Sequence, residues 1–159
     1  VIRLVVLFKM AVNEMRYVRA VVVNPRSGSN ELFDQLSRFR RMWPGRGWSW
    51  DGRFSCVASS FALDLEQEAR SAVGQAFTAQ YTQRTVVNAP PHVYDVAEAT
   101  GGLRSDQLLV ATPESGGVVA YGLWWPWGDD VTISFRVGLA GPMAYRHEES
   151  LRELFGASY

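Results

Sequence analysis

The stretch DVTISFRVG, residues 130–138, alternates without a break. Val131, Ile133, Phe135 and Val137 fall on one side of the chain, and Thr132, Ser134 and Arg136 on the other. Successive side chains of a strand leave on opposite faces, so this period of two marks a strand with an apolar face and a polar one. Upstream, QLLVATPE (107–114) and GVVAYGLWW (117–125) have the same β-rich character. Ser115-Gly116-Gly117 and Gly128-Asp129-Asp130 separate the three runs. The pattern predicts a three-strand antiparallel meander at the C-terminal side of the chain.

Working outward, RYVRAVVVN (16–24) predicts a strand stopped by Asn24-Pro25. Leu32, Phe33, Leu36, Phe39 and Trp43 then fall at helical spacing, with Asn30 placed to cap that helix and Pro44-Gly45 to end it. GWSWDGRFSCVAS (47–59) reads as a hairpin about Asp51-Gly52. Asp64 and Gln67 have capping-box spacing ahead of a helix whose apolar face is Leu65, Ala69, Val73, Ala76 and Phe77. TVVNAPP (85–91) reads as a short strand, residues 93–100 as one or two helical turns closed by Gly101-Gly102, and Pro142 opens a final helix docked by Leu151, Leu154 and Phe155. Strands and helices come in runs rather than in strict alternation, which predicts an α+β fold. The expectation is a single domain over 1–159 with a mainly antiparallel sheet and two to four helices packed on one face. Val1–Glu14 is expected to be dispensable, because Met15 directly precedes a complete strand.

Composition narrows the function classes. A chain of 159 residues with 47% hydrophobic and 20% charged residues suits one globular domain with a real core. Sixteen basic and sixteen acidic side chains cancel, which removes the bulk electrostatic pull toward nucleic acid or anionic membranes. The opening VIRLVVLFKMAV is cut by Arg3 and Lys9 and falls short of the roughly 20 apolar residues of a spanning helix. A cytoplasmic protein without a membrane partner is expected. Fifteen of the sixteen basic residues are Arg, a hint of a GC-rich bacterial genome. The single cysteine, Cys56, excludes an intramolecular disulfide and a cysteine-cluster metal site. Cys56 with His92 or His147 would give a thiol and a base, but no third, orienting residue stands out, and a cysteine on a predicted strand reads as a buried structural thiol. The two histidines lack metal-ligand spacing, and no cofactor or metal is expected.

AVVVNPRSGSN (20–30) carries the one phosphate signal. Asn24, Pro25, Ser27 and Gly28 follow an apolar strand, and the stretch resembles the first signature of the diacylglycerol and sphingosine lipid kinases. The resemblance implies a phosphate held by backbone N–H groups at a helix N-terminus, with Asn24, Ser27, Gly28 and Ser29 as its residues. The glycine- and aspartate-rich second signature of that family is not reproduced by TGGLRS (100–105) or WGDD (127–130). Read from the residues alone, the same stretch is a strand-to-helix turn that needs no ligand.

The tryptophans are the least ordinary feature. Six are present, grouped as Trp43, Trp48 and Trp50 and as Trp124, Trp125 and Trp127. Adjacent on a strand, Trp124 and Trp125 must leave on opposite faces. Exposed aromatics beside Arg anchor protein interfaces. The leading expectation is a non-catalytic protein-binding domain of the bacterial immunity-protein, adaptor or secretion-chaperone kind. It would bind another protein, or a second copy as a homodimer, through an open sheet face and Trp48, Trp50, Arg46, Arg53, Trp125, Trp127, Asp129 and Asp130. Two alternatives stay open: a phosphate- or nucleotide-handling enzyme on the Asn24–Gly28 turn, and single-stranded nucleic-acid binding through Arg38–Arg53, where RFRRMWPGRGWSWDGR interleaves Arg with aromatic rings.

Overall fold

The structure is a computed structural model that describes residues 25–158; the strand expected at 16–24 and the segment Val1–Glu14 lie outside them. Six strands form one antiparallel sheet: β1 (Ser49–Asp51), β2 (Cys56–Ala62), β3 (Ala79–Tyr81), β4 (Leu108–Ala111), β5 (Val119–Pro126) and β6 (Thr132–Ala140), in the order β1-β2-β6-β5-β4-β3. The predicted meander is β4-β5-β6. Its register sets Leu109 opposite Leu123, Trp124 opposite Phe135 and Trp125 opposite Ser134. Four α-helices complete the described residues: α1 (Pro25–Met42), α2 (Glu66–Ala76), α3 (Pro91–Ala99) and α4 (Glu148–Phe155). The α+β architecture with a largely antiparallel sheet is therefore the observed one.

The period of two sorts the sheet into two cores. Val57, Phe61, Val110, Val118, Ala120, Trp124, Ile133, Phe135 and Val137 point to one face, where Leu32, Leu36 and Phe39 of α1, the alanines and Val73 of α2, and Leu151 and Phe155 of α4 meet them. Three helices thus share this face. Phe39 is its hub, with the rings of Trp43, Trp48, Phe77, Phe135 and Phe155 at 5.4–6.3 Å between centroids. Such tilted and edge-on pairs add to area burial. On the other face, Leu109, Ala111, Val119, Tyr121 and Leu123 pack with Val93 and Ala97 of α3 and with Leu103. None of the described helices is long and apolar enough to cross a membrane.

Several boundaries differ from the sequence reading. α1 spans Pro25–Met42, so Asn30 lies inside it and does not cap it. Gly28 lies inside that helix and is buried; a Cβ there would overlap Ser115 Oγ of the β4–β5 connection. The capping box at Asp64 and Gln67 does not form. Leu63 donates its N–H to the Val131 carbonyl (2.9 Å), residues Leu63–Leu65 tighten into a 3₁₀ turn, and α2 starts after Leu65 without a side-chain cap. TVVNAPP is not a strand: Val86–Asn88 form a 3₁₀ turn and Pro91 opens α3. The strand in this region is β3, which pairs with β4 six residues earlier than expected, at Ala79–Tyr81. Gly101 and Gly102, both at positive φ, close α3 as anticipated.

Phe135 is fully buried among Phe39, Trp43, Phe77 and Trp124. Phe135→Ala is expected to cost about 3–5 kcal/mol in a denaturant melt, as for other buried aromatic truncations. A loss under about 1 kcal/mol would show that the site collapses or that the ring is not central.

Candidate functional site

The β5–β6 turn is built to hold its shape. Trp127 donates its N–H to the Thr132 carbonyl (2.8 Å), extending the ladder past Pro126. The Asp129 carboxylate accepts from the N–H groups of Val131 (3.1 Å) and Thr132 (2.9 Å) and from the Thr132 hydroxyl (2.6 Å). These bonds, the Thr132 hydroxyl first, hold the Asp129 carboxyl below its ordinary range. Asp130 takes the left-handed conformation that completes the turn, at φ 59°. Aspartate tolerates it better than most residues.

Around this turn the apolar surface is concentrated. Trp127 is 52% exposed, Val131 59% and Leu63 45%. The Leu63–Val131 backbone bond and the Trp127–Thr132 bond bring all three to one end of the sheet. They are half of the six large hydrophobic side chains that are exposed among the described residues; Val131 and Leu63 continue the face of Ile133 and Phe61, and Trp127 that of Trp125.

The second aromatic feature lies on the α3 side of the sheet, in the half that α3 does not cover. Trp125 sits under the Arg136 guanidinium, 4.3 Å from ring centroid to Cζ. Arg136 Nη1 donates to Ser134 Oγ (2.9 Å), and its Nε lies 3.7 Å from Asp51 Oδ2. Phe54 meets the Trp125 ring edge-on at 6.5 Å, and Arg53 stacks on Phe54 at 4.3 Å. Trp125 Nε1 and Arg136 Nε are buried without a hydrogen-bond partner. Beside them Cys56 is buried, and desolvation, reinforced by Asp51, pushes its thiol up to about 12. The same burial raises the Tyr121 phenol.

The residues singled out in the sequence therefore separate into groups. Trp127, Asp129 and Asp130 come together at the exposed turn. Trp125, Arg53 and Asp51 come together in the cation–π cluster. Arg46 is exposed on the loop before β1. Trp48 is buried on Phe155, at 4.6 Å between centroids, and Trp50 packs half-buried on the same core, so both rings serve the core. The sheet face expected to be open is covered by α3 over β4 and β5 and by Phe54 and Arg136 around Trp125, and stays exposed at Ser60 and Ala62 of β2. Asn24 lies outside the described residues. Ser27, Gly28 and Ser29 fall in the first turns of α1, where Gly28 packs on the β4–β5 connection. His92 lines a cleft of about 180 Å³ with Tyr81, Thr112 and Glu114, while His147 packs on Phe33 at 5.8 Å; neither is among the groups that act on Cys56. Val131 looks like a core position in the alternation of β6 and Leu63 carried no sequence signal, yet both are exposed. No family model, curated protein or solved structure matches the chain.

Two tests follow from this geometry. The Asp129 carboxyl is lowered on folding, so its contribution is complete above the ordinary carboxylate pKa and is lost as pH falls through the lowered value. Asp129→Ala should lower the melting temperature at neutral pH, with the gap to the wild type closing in acid; a gap independent of pH would contradict the turn's hydrogen bonding. The Cys56 thiol should resist Ellman's reagent at pH 8 in the native protein and react at once in denaturant. Rapid native reaction would contradict its burial.

Proposed function

We propose that this chain is a non-catalytic protein-binding domain whose contact surface is the sheet end carrying Trp127, Val131 and Leu63. The observation that carries the reading is a half-exposed tryptophan on a turn locked by three side-chain hydrogen bonds, with two further exposed apolar side chains, Val131 and Leu63, at the same end of the sheet. A tryptophan on a turn whose backbone is already fixed loses less conformational entropy on binding, and tryptophan is a frequent hot spot. Asp129 and Asp130 supply a polar, acidic rim of the kind that surrounds such anchors. A role of the immunity-protein or adaptor kind, in which a domain acts by occupying its partner, needs only a surface of this type.

Trp127→Ala should change folding stability by no more than about 0.5 kcal/mol, as at other surface sites. It should weaken partner binding by about 2 kcal/mol or more. Capture of a partner by the wild type and by Val87→Ala, which alters an exposed side chain elsewhere, but not by Trp127→Ala, would support the reading. If Trp127→Ala instead costs about 3–5 kcal/mol of stability, the ring is a core plug and the reading fails.

A further inference from the structure

Arg38, Arg40, Arg41 and Arg46 follow one another with no acidic residue between Asp34 and Asp51, so a chain of zero net charge concentrates positive charge in this segment. The structure folds part of that run into a cleft. Between α1 and α2 lies a cavity of about 300 Å³ lined by Gln35, Arg38, Arg41, Met42, Gln75 and Ala76. Two guanidinium groups line it and no carboxylate does. Gln35 Nε2 donates to the Ala76 carbonyl and ties the two walls together. Arg41 Nη1 donates to Ser37 Oγ at 2.9 Å, which leaves its Nε and Nη2 to donate elsewhere, and Arg38 has no hydrogen bond or ion pair among the described residues. Met42, 40% exposed, gives the cleft an adaptable apolar side.

We propose that this cleft binds an acidic peptide segment of a partner protein, with carboxylates on Arg38 and Arg41 and an aliphatic side chain against Met42. Charge complementarity is the argument. Basic residues near the end of α1 also suit the helix dipole, but the negative end of a helix amounts to about half a charge, and two full guanidinium charges outweigh it. A planar guanidinium holds a carboxylate with two parallel hydrogen bonds, which gives orientation as well as attraction. A nucleic acid is the weaker occupant. Its sequence signal rested on aromatic rings between the arginines, and Trp43 and Trp48 are buried while Trp50 packs on the core, so no ring of that segment offers a stacking platform beside the cleft. The cleft shares no residue with the Trp127 surface, and the proposal stands apart from that reading.

The test uses fluorescence anisotropy with the full chain and three labelled probes: a short peptide of repeated Glu-Glu-Leu, its Gln-Gln-Leu analogue, and an oligouridylate of matched charge. The acidic peptide should bind with an affinity that falls as salt rises, and the glutamine analogue should not bind. Arg38→Glu with Arg41→Glu should weaken the acidic peptide by at least about tenfold, consistent with measured couplings between charge pairs. Arg84→Glu, a charge reversal at an exposed site elsewhere, should leave it unchanged. Because glutamate is unfavourable near a helix C-terminus, Arg38→Gln with Arg41→Gln provides the same comparison in a helix of normal stability. Equal loss in Arg84→Glu, no binding of the acidic peptide, or tighter binding of the oligouridylate than of the peptide would each overturn the proposal.

Discussion

The register between β5 and β6 is the constraint on which the rest of the structure depends. With Trp124 opposite Phe135, every odd position of β6 from Ile133 to Val137 and the even positions of β5 feed the aromatic core under α1, α2 and α4. The intervening positions, Tyr121, Leu123 and Trp125, are sent to the α3 side. Two glycines make that register sterically possible. A Cβ at Gly122 would overlap the Phe135 ring, and one at Gly138 would overlap the Tyr121 phenol. A slip of one residue would exchange the two faces and leave both cores wrongly filled.

This part of the fold was legible in the sequence because β6 alternates strictly and both turns of the meander are marked by Gly, Asp and Ser. The adjacent pair Trp124-Trp125 announced its own division between faces, and the structure makes that division. Other elements left weaker marks. β3 is three residues long and takes its place from pairing with β4, so no periodicity could reveal it, whereas the β-branched Val86-Val87 that looked like a strand are held in a 3₁₀ turn ahead of Pro90 and Pro91. Of the candidate site, Trp127 was visible as a ring in a hairpin loop. Leu63 and Val131 were not: Val131 reads as one more core position in the alternation of β6, and Leu63 stands outside any periodic run.

Charge and apolar surface are segregated in the same molecule. The sheet end presents Trp127, Val131 and Leu63 with an acidic turn, while the helical side presents a cleft with two arginines. Neither surface is visible in a net charge of zero, since each depends on which side chains the fold leaves without partners. Both stand on rigid supports, one on the ladder of the longest strands and the other on two helices joined by Gln35. Preformed surfaces of this kind bind with little reorganisation.

The most direct test of the register is the solvent accessibility of the individual indole N–H groups, measured by NMR with a soluble paramagnetic agent. Trp127 should broaden strongly. Trp124 should not, since it is buried, and neither should Trp43, whose Nε1 donates to Ser59 Oγ at 3.0 Å inside the core. A broadened Trp124 signal alongside a protected Trp127 would mean that the faces of β5 are exchanged, and would contradict both the fold and the surface built on it.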